Sequence, residues 1–200
     1  MRLGIVSDIH CNMKGLEKAL ELMAPFDQLW CAGDLVFQFR WSNEVVGRLR
    51  DLDARIVLGN HEETLLSPEG ERAANAPTVD QDLVAWLRSK PYRYEEVVDG
   101  KKVMMTHGSP WEPWRDYHYP HEAIWKKAAD LDCDAVIVGH THFQMAQHFG
   151  KTLVINPGSA GDARDHRNDY LLSCATWDTT TGDVVFYDYK DPNKEAPSGG

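Results

Sequence analysis

Residues 2–10 read RLGIVSDIH, an apolar run that ends in Asp8 and His10. The run over 2–7 has the length and composition of a buried strand. Asn12 stands where a helix N-cap is needed, and Met13, Leu16, Leu20 and Met23 then recur at helical spacing. The same unit follows again: 28–32 is strand-like, 33–41 is a loop, and 43–52 carries Val45, Val46, Leu49 and Leu52 on one helical face. Residues 54–58 give a third strand. Such alternation predicts an α/β fold whose loops leave the ends of parallel strands, where these folds place their sites.

Further along, the spacing predicts a helix over 79–88. The runs YRYEEVV (92–98) and KKVMMTH (101–107) are joined by Asp99-Gly100, a hairpin signal that makes the sheet mixed. After a helix over 122–131 come strand-like runs at 135–138, 143–147, 153–155, 170–177 and 183–189. So many strands with few helices predict two mixed sheets packed face to face, flanked by helices. From residue 191 the composition turns to Pro, Lys, Glu, Ser and Gly, which predicts one domain over 1–190 and a flexible tail over 191–200.

Two hundred residues with 42% hydrophobic side chains can bury a substantial core. The formal net charge of −10 provides no overall positive field for a polyanion, which argues against duplex nucleic acid as a partner. Cys11, Cys31, Cys133 and Cys174 form no C-x-x-C pair, and the chain opens on a strand instead of a leader, so the expected location is the cytoplasm. No apolar run approaches membrane-span length. No heptad pattern indicates an oligomeric state.

The informative pattern is where Asp, Asn and His fall relative to strand ends. Asp8 and His10 follow the first strand; Asp34 follows Gly33 past the second; Asn60 and His61 follow Gly59 past the third; His107 ends VMMTH; His140 and His142 form Gly-His-Thr-His past the strand at 135–138. Imidazole and carboxylate together suit zinc, manganese, iron or nickel. A single Asp has two oxygens and can bridge two cations, and an Asn carbonyl adds a ligand without charge. An extended backbone would point Asp8 and His10 the same way, and glycines before Asp34, Asn60 and His140 would permit sharp exits from the strands.

The ordered series D-x-H, G-D, G-N-H-E, H-G and G-H-T-H resembles the calcineurin-like metallophosphoesterase superfamily over residues 2–189. SDIH, HGSP and INPGS make it most similar to the small bacterial and archaeal phosphoesterases. The resemblance implies the metallophosphoesterase fold and two divalent metal ions. Asp8, His10, Asp34 and His142 would hold one; Asp34, Asn60, His107 and His140 would hold the other. It further implies hydrolysis of a small phosphodiester or phosphomonoester by a metal-bridging hydroxide, with His61 assisting the leaving group.

Some positions depart from the family pattern. Phe37 and Gln38 stand where protein phosphatases carry Asp and Arg, which weakens that reading and leaves the support of the His61 ring open. Cys11 replaces a common Gly and reads as a small hydrophobe or as an oxidisable thiol beside the metals. The segment 109–121, with Trp111, Trp114, Tyr117 and Tyr119 around Arg115, His118 and His121, reads either as a stacking wall for a nucleoside or aryl group or as a loop packed on the domain. Arg164 and, less so, Arg40 and Trp41 are candidate substrate contacts, while His148 and His166 match no motif. The alternatives to a small-ester hydrolase are a diadenosine polyphosphate or other nucleotide hydrolase, a non-catalytic scaffold like a retromer subunit of this fold, and a metal-dependent nuclease. The acidic balance argues against the last.

Overall fold

The computed structural model describes residues 1–114 and 116–194. Arg115, and residues 195–200 of the expected tail, lie outside the described residues. In chain order the elements are β1 (Arg2–Val6), α1 (Met13–Met23), β2 (Gln28–Cys31), α2 (Asn43–Asp51), β3 (Arg55–Ile56) and α3 (Asn60–Leu65). Then come α4 (Glu71–Ala74), α5 (Gln81–Arg88), β4 (Arg93–Val98), β5 (Lys101–Thr106), a 3-10 helix (Ala123–Asp130) and β6 (Ala135–Ile137). β7 (Met145–Phe149), β8 (Thr152–Asn156), a second 3-10 helix (His166–Asn168), β9 (Leu172–Asp178) and β10 (Val184–Tyr189) complete the order.

Two five-stranded sheets result, with orders β10-β9-β1-β2-β3 and β4-β5-β6-β8-β7. In the first, β1, β2 and β3 are parallel and β9 runs antiparallel to β1 and β10. In the second, β5, β6 and β8 are parallel between antiparallel β4 and β7. The expected sandwich of two mixed sheets with flanking helices is therefore the observed fold.

Side-chain alternation along the strands explains why the sheets stack. Leu3 and Ile5 of β1 meet Val103 and Met105 of β5 in the core between the sheets, with Trp30 and Ile137. Residues on the opposite faces pack outward. Val6 lies with Leu16, Leu20 and Val45 of α1 and α2, and Met104 and Val136 lie under Trp125 of the 3-10 helix. Both faces of each sheet are thus covered at their centres, and the polar loops collect at the C-terminal ends of the parallel strands.

The differences from expectation are local. The chain past Gly59 is helical, not a loop: the Glu62 side chain reaches back to the Gly59 N–H at 2.8 Å and satisfies one of the free donors of the helix start. β3 is only two residues long. α5 starts at Gln81 because the Asp80 carboxylate caps the N–H groups of Asp82 and Leu83. β7 begins at Met145, since the Gln144 N–H is bound to the Asp165 carboxylate and its carbonyl accepts from Arg167. At the end of the described chain, Asp191 and Asn193 bond the side chain of Asn12.

Candidate metal centre

The loops after β1, β2, β5 and β6 and the first turn of α3 bring all seven expected ligand residues and His61 to one edge of the sandwich. Asp8, His10, Asp34, His107, His140 and His142 are buried, each no more than 3% exposed, while Asn60 and His61 are half-buried. Donor atoms of Asp8, His10 and His142 lie within 4.8 Å of one another, as do those of His10, Asp34 and His61, and those of Asp34, His107 and His140. Asn60 Oδ1 is 3.2 Å from His107 Nε2, which is itself 3.2 Å from Asp34 Oδ2.

An unusual backbone produces this convergence. Asp8, His10, Asp34, His140 and His142 all have φ between 50° and 66°, the left-handed region that costs non-glycine residues of order 1–3 kcal/mol each. The expected extended Asp8–His10 segment is therefore not found. Its N–H groups instead zip onto the neighbouring loop, with Asp8, His10 and Cys11 donating to the carbonyls of Gly33, Asp34 and Leu35 at 2.9–3.0 Å. Ile9 points into the core between them. Of the glycines before the ligands, Gly33 supplies a positive φ of 92°. Gly59 supplies space, because a Cβ there would lie 2.1 Å from Asp34 Oδ1.

The surroundings of the donor atoms suit cations. His107 donates from Nδ1 to the Ala32 carbonyl and His142 from Nδ1 to the Asp162 carbonyl, both at 2.6 Å. In their neutral forms both rings therefore turn an Nε2 lone pair inward, the arrangement typical of metal-bound histidine. Asp8 Oδ2 accepts from Ser7 Oγ and the His140 N–H. Asp8 Oδ1, His10 Nδ1 and His140 Nε2 are buried with no hydrogen-bond partner. His10 Nε2 and His142 Nε2 face each other at 3.3 Å, with Asp8 Oδ1 3.1 Å from the latter. Acceptors aimed at acceptors in a buried cluster are the electrostatic complement of a bound cation.

Without cations, the same carboxylates and imidazoles pair with one another. Burial opposes ionisation of Asp8, but His142, His107 and His10 outweigh it and hold its carboxyl below the ordinary range. Asp34 is likewise lowered against its burial, by His107. Burial works against protonated His107, yet Asp34 and Asp8 push it up to about 10; His142 rises in the same way through Asp8. Burial takes His10 and His140 down to about 4.

The roles of three supporting residues, Phe37, Gln38 and Glu62, were not legible in the sequence. The Gln38 N–H donates to His61 Nδ1 at 3.0 Å, and Phe37 stacks on His10 with ring centroids 4.6 Å apart. The buried Glu62 carboxylate accepts from the N–H groups of Asp34, Val36 and Gly59 at 2.8–3.0 Å, tying the loop after β2 to the start of α3. Burial and the Asp34 carboxylate push Glu62 up to about 7, against the pull of the N–H bonds from Val36 and Gly59.

The aromatic segment divides residue by residue. Trp111 packs against Trp125 and His118, and Tyr119 against Phe143 and His121. Tyr117, 51% exposed, lays its ring on His140 with centroids 3.5 Å apart. Trp114 lines a cavity beside Asn60 and His107. Arg164 is paired with Asp162 at 2.7 Å. Arg40 donates to the His10 carbonyl at 2.9 Å and lies over Phe37. The Cys11 thiol, raised by burial, donates to the Arg40 carbonyl. His148 and His166 are exposed, away from the cluster. Among the described residues no helix is long and apolar enough to cross a membrane.

Comparison with known proteins gives this geometry a context. Two proteins of Methanocaldococcus jannaschii are similar over most of the chain. An uncharacterised protein is 28% identical over 197 residues, covering 83% of this chain and 79% of that protein. A phosphodiesterase is 27% identical over 169 residues, covering 79% and 83%. A symmetrical bis(5'-nucleosyl)-tetraphosphatase of Shewanella frigidimarina is 29% identical over 142 residues, 64% of this chain but only 51% of that protein. The crystal structure of a metallophosphoesterase from Sphaerobacter thermophilus superposes with a TM-score of 0.77 at 25% identity, covering 96% of this chain and 89% of that one. The family model of the calcineurin-like phosphoesterase superfamily domain matches residues 1–182, and the chain belongs to that superfamily of metal-dependent phosphoesterases.

Proposed function

We propose that this chain is a two-metal hydrolase of small phosphate esters, phosphodiesters above phosphomonoesters. The observation that carries the reading is the cluster of buried, inward-facing acceptors. Asp8, His10, Asp34 and His142 would hold one divalent ion, manganese, iron, zinc or nickel; Asp34, Asn60, His107 and His140 would hold the other. When bound, the ions supply Lewis acidity toward the phosphoryl oxygens and the attacking water.

The chain's own part is positioning and proton transfer. A backbone N–H can only donate, so His61 Nδ1 must offer its lone pair to Gln38. Neutral His61 then carries its proton on Nε2, which lies 3.8 Å from Asp34 Oδ2 at the cluster. That proton is available to the leaving oxygen. Among the described residues, cavities beside His10, beside His107 and beside His140 adjoin the cluster and offer room for more than one ester substituent. This supports a diester.

A second reading, hydrolysis of dinucleoside polyphosphates, draws on the tetraphosphatase relative and the exposed Tyr117 ring. Hydrolysis of bis(para-nitrophenyl) phosphate, para-nitrophenyl phosphate and diadenosine tetraphosphate, each with manganese, nickel, zinc or EDTA, separates the readings. The proposal expects the diester to be turned over fastest; cleavage of the tetraphosphate alone would favour the second reading.

A further inference from the structure

After His107 the chain returns to the cluster at Tyr117. The residues that follow Tyr117 are anchored to the 3-10 helix and its cap. His118 packs against Trp111 and Trp125 and lies 3.4 Å from the Glu122 carboxylate. The Tyr119 N–H donates to Glu122 at 3.0 Å, and its carbonyl accepts from the Trp125 indole N–H at 3.1 Å. Tyr117 is directed the other way, with its ring on His140 at a centroid distance of 3.5 Å.

Tyr117 also walls a cavity that it shares with Asn60 and His140. The remaining walls among the described residues, Glu63, Thr64, Ser67 and Glu69, are all polar. A nucleobase or aryl group stacked on the open face of the ring would therefore meet no second apolar wall. The surroundings of the hydroxyl are more specific. Burial raises its pKa, and Asp34 and Asp8 add to the rise while Arg164 opposes them. The phenol oxygen is thus within electrostatic reach of both aspartates of the cluster, and among the described residues it has no hydrogen-bond partner. Arg164, the other donor at this edge, is already engaged by Asp162 through Nε at 2.9 Å and a terminal nitrogen at 2.7 Å.

We infer that the Tyr117 hydroxyl is a substrate-contacting group of this centre, donating a hydrogen bond to a phosphoryl oxygen of the bound ester. This rests on the phosphoesterase reading above. A phenol offers one O–H donor, and phosphoryl oxygens are acceptors. With Asp34 and Asp8 committed as ligands, the acceptor that enters beside the hydroxyl is the phosphoryl group itself. Stacking on His140 ties the donor to a ligand residue, so the donor and the phosphorus centre share one support. Such a bond acts on the phosphoryl group whichever alcohol departs, and this separates Tyr117 from His61.

The test compares the wild-type protein with Tyr117→Phe, which keeps a ring on His140 and removes only the hydroxyl. Calorimetric binding of inorganic phosphate to the manganese-loaded proteins is expected to weaken about tenfold in the variant, with both ions retained by elemental analysis. The kcat/KM values for bis(para-nitrophenyl) phosphate and para-nitrophenyl phosphate should fall by about the same factor. Unchanged phosphate affinity, or a loss seen only where an ion is lost as well, would overturn the inference. So would a defect confined to Tyr117→Leu, which removes the ring and would mark stacking as its role. The wild-type protein tests the underlying reading separately. If it holds two ions yet neither binds phosphate nor cleaves either ester, that reading and the inference both fall; if it does both and Tyr117→Phe matches it, the inference alone falls.

Discussion

The backbone N–H of Gln38 donates to Nδ1 of His61 at 3.0 Å, so main chain does here what an aspartate side chain does in protein phosphatases of this superfamily. The side chain of Gln38 is dispensable for that bond and its N–H is not. Gln38→Ala should leave turnover little changed, whereas Gln38→Pro, which removes the donor, should lower kcat. His61→Ala should cost about 10²–10⁴-fold in kcat for esters with alkyl leaving groups. The loss should be smaller for nitrophenyl esters, whose leaving group needs no proton. Gln38→Pro and His61→Ala should keep two ions by elemental analysis; loss of metal from His61→Ala would make His61 a ligand instead.

Asp34 is grouped with His10, assigned to one ion, and with His107 and His140, assigned to the other, whereas His142 is grouped only with Asp8 and His10. Asp34→Ala should therefore reduce binding of both ions, and His142→Ala should weaken one and spare the other. Metal titration by calorimetry distinguishes these outcomes. Equal loss in the two variants would contradict the assignment of Asp34 as the bridge.

What the sequence reveals depends on whether the informative atom belongs to a side chain. Asp8, His10, Asp34, His107, His140 and His142 were legible as one cluster because each is a ligand-type residue in a short motif at a strand end, and the excess of strand-like runs over helices exposed the layering. Gln38 was not legible, because its contribution is an N–H that every residue but proline has. Glu62 was visible only as the last letter of GNHE, and its role depends on two loops meeting. The left-handed φ values at Asp8 and His10 come from pairing with the loop after β2, a long-range contact that local spacing does not encode. α3 was missed because six residues are too few for a periodic pattern to declare itself.

Glu62 satisfies three buried N–H groups at once. Glu62→Ala would leave them without partners, with an expected stability loss of about 3 kcal/mol or more. Glu62→Gln keeps one oxygen and should lose less. Urea unfolding with and without metal measures both. A fully stable Glu62→Ala protein would show that the clamp between Asp34 and Gly59 is not needed.

Asp165 gives a pH-dependent prediction away from the cluster. Burial opposes its ionisation, but bonds from the Arg167 side chain, the Arg167 N–H and the Gln144 N–H outweigh it, and its carboxyl sits below the ordinary 3.8. A carboxyl depressed in the folded state adds stability above its ordinary value and loses it as pH falls through the folded one. Asp165→Asn should thus lower Tm at neutral pH, with the gap to wild type closing below pH 3.8. A gap that stayed constant with pH would mean that shape, not charge, sets the contribution of Asp165.

The most direct measurement is a titration of the chelated, metal-free protein with manganese, following bound ions and hydrolysis of bis(para-nitrophenyl) phosphate in the same samples. The account predicts two ions per chain, no activity without them, and activity that rises as both sites fill. Hydrolysis by the metal-free protein, or none with both ions bound to any ester of the panel, would contradict it.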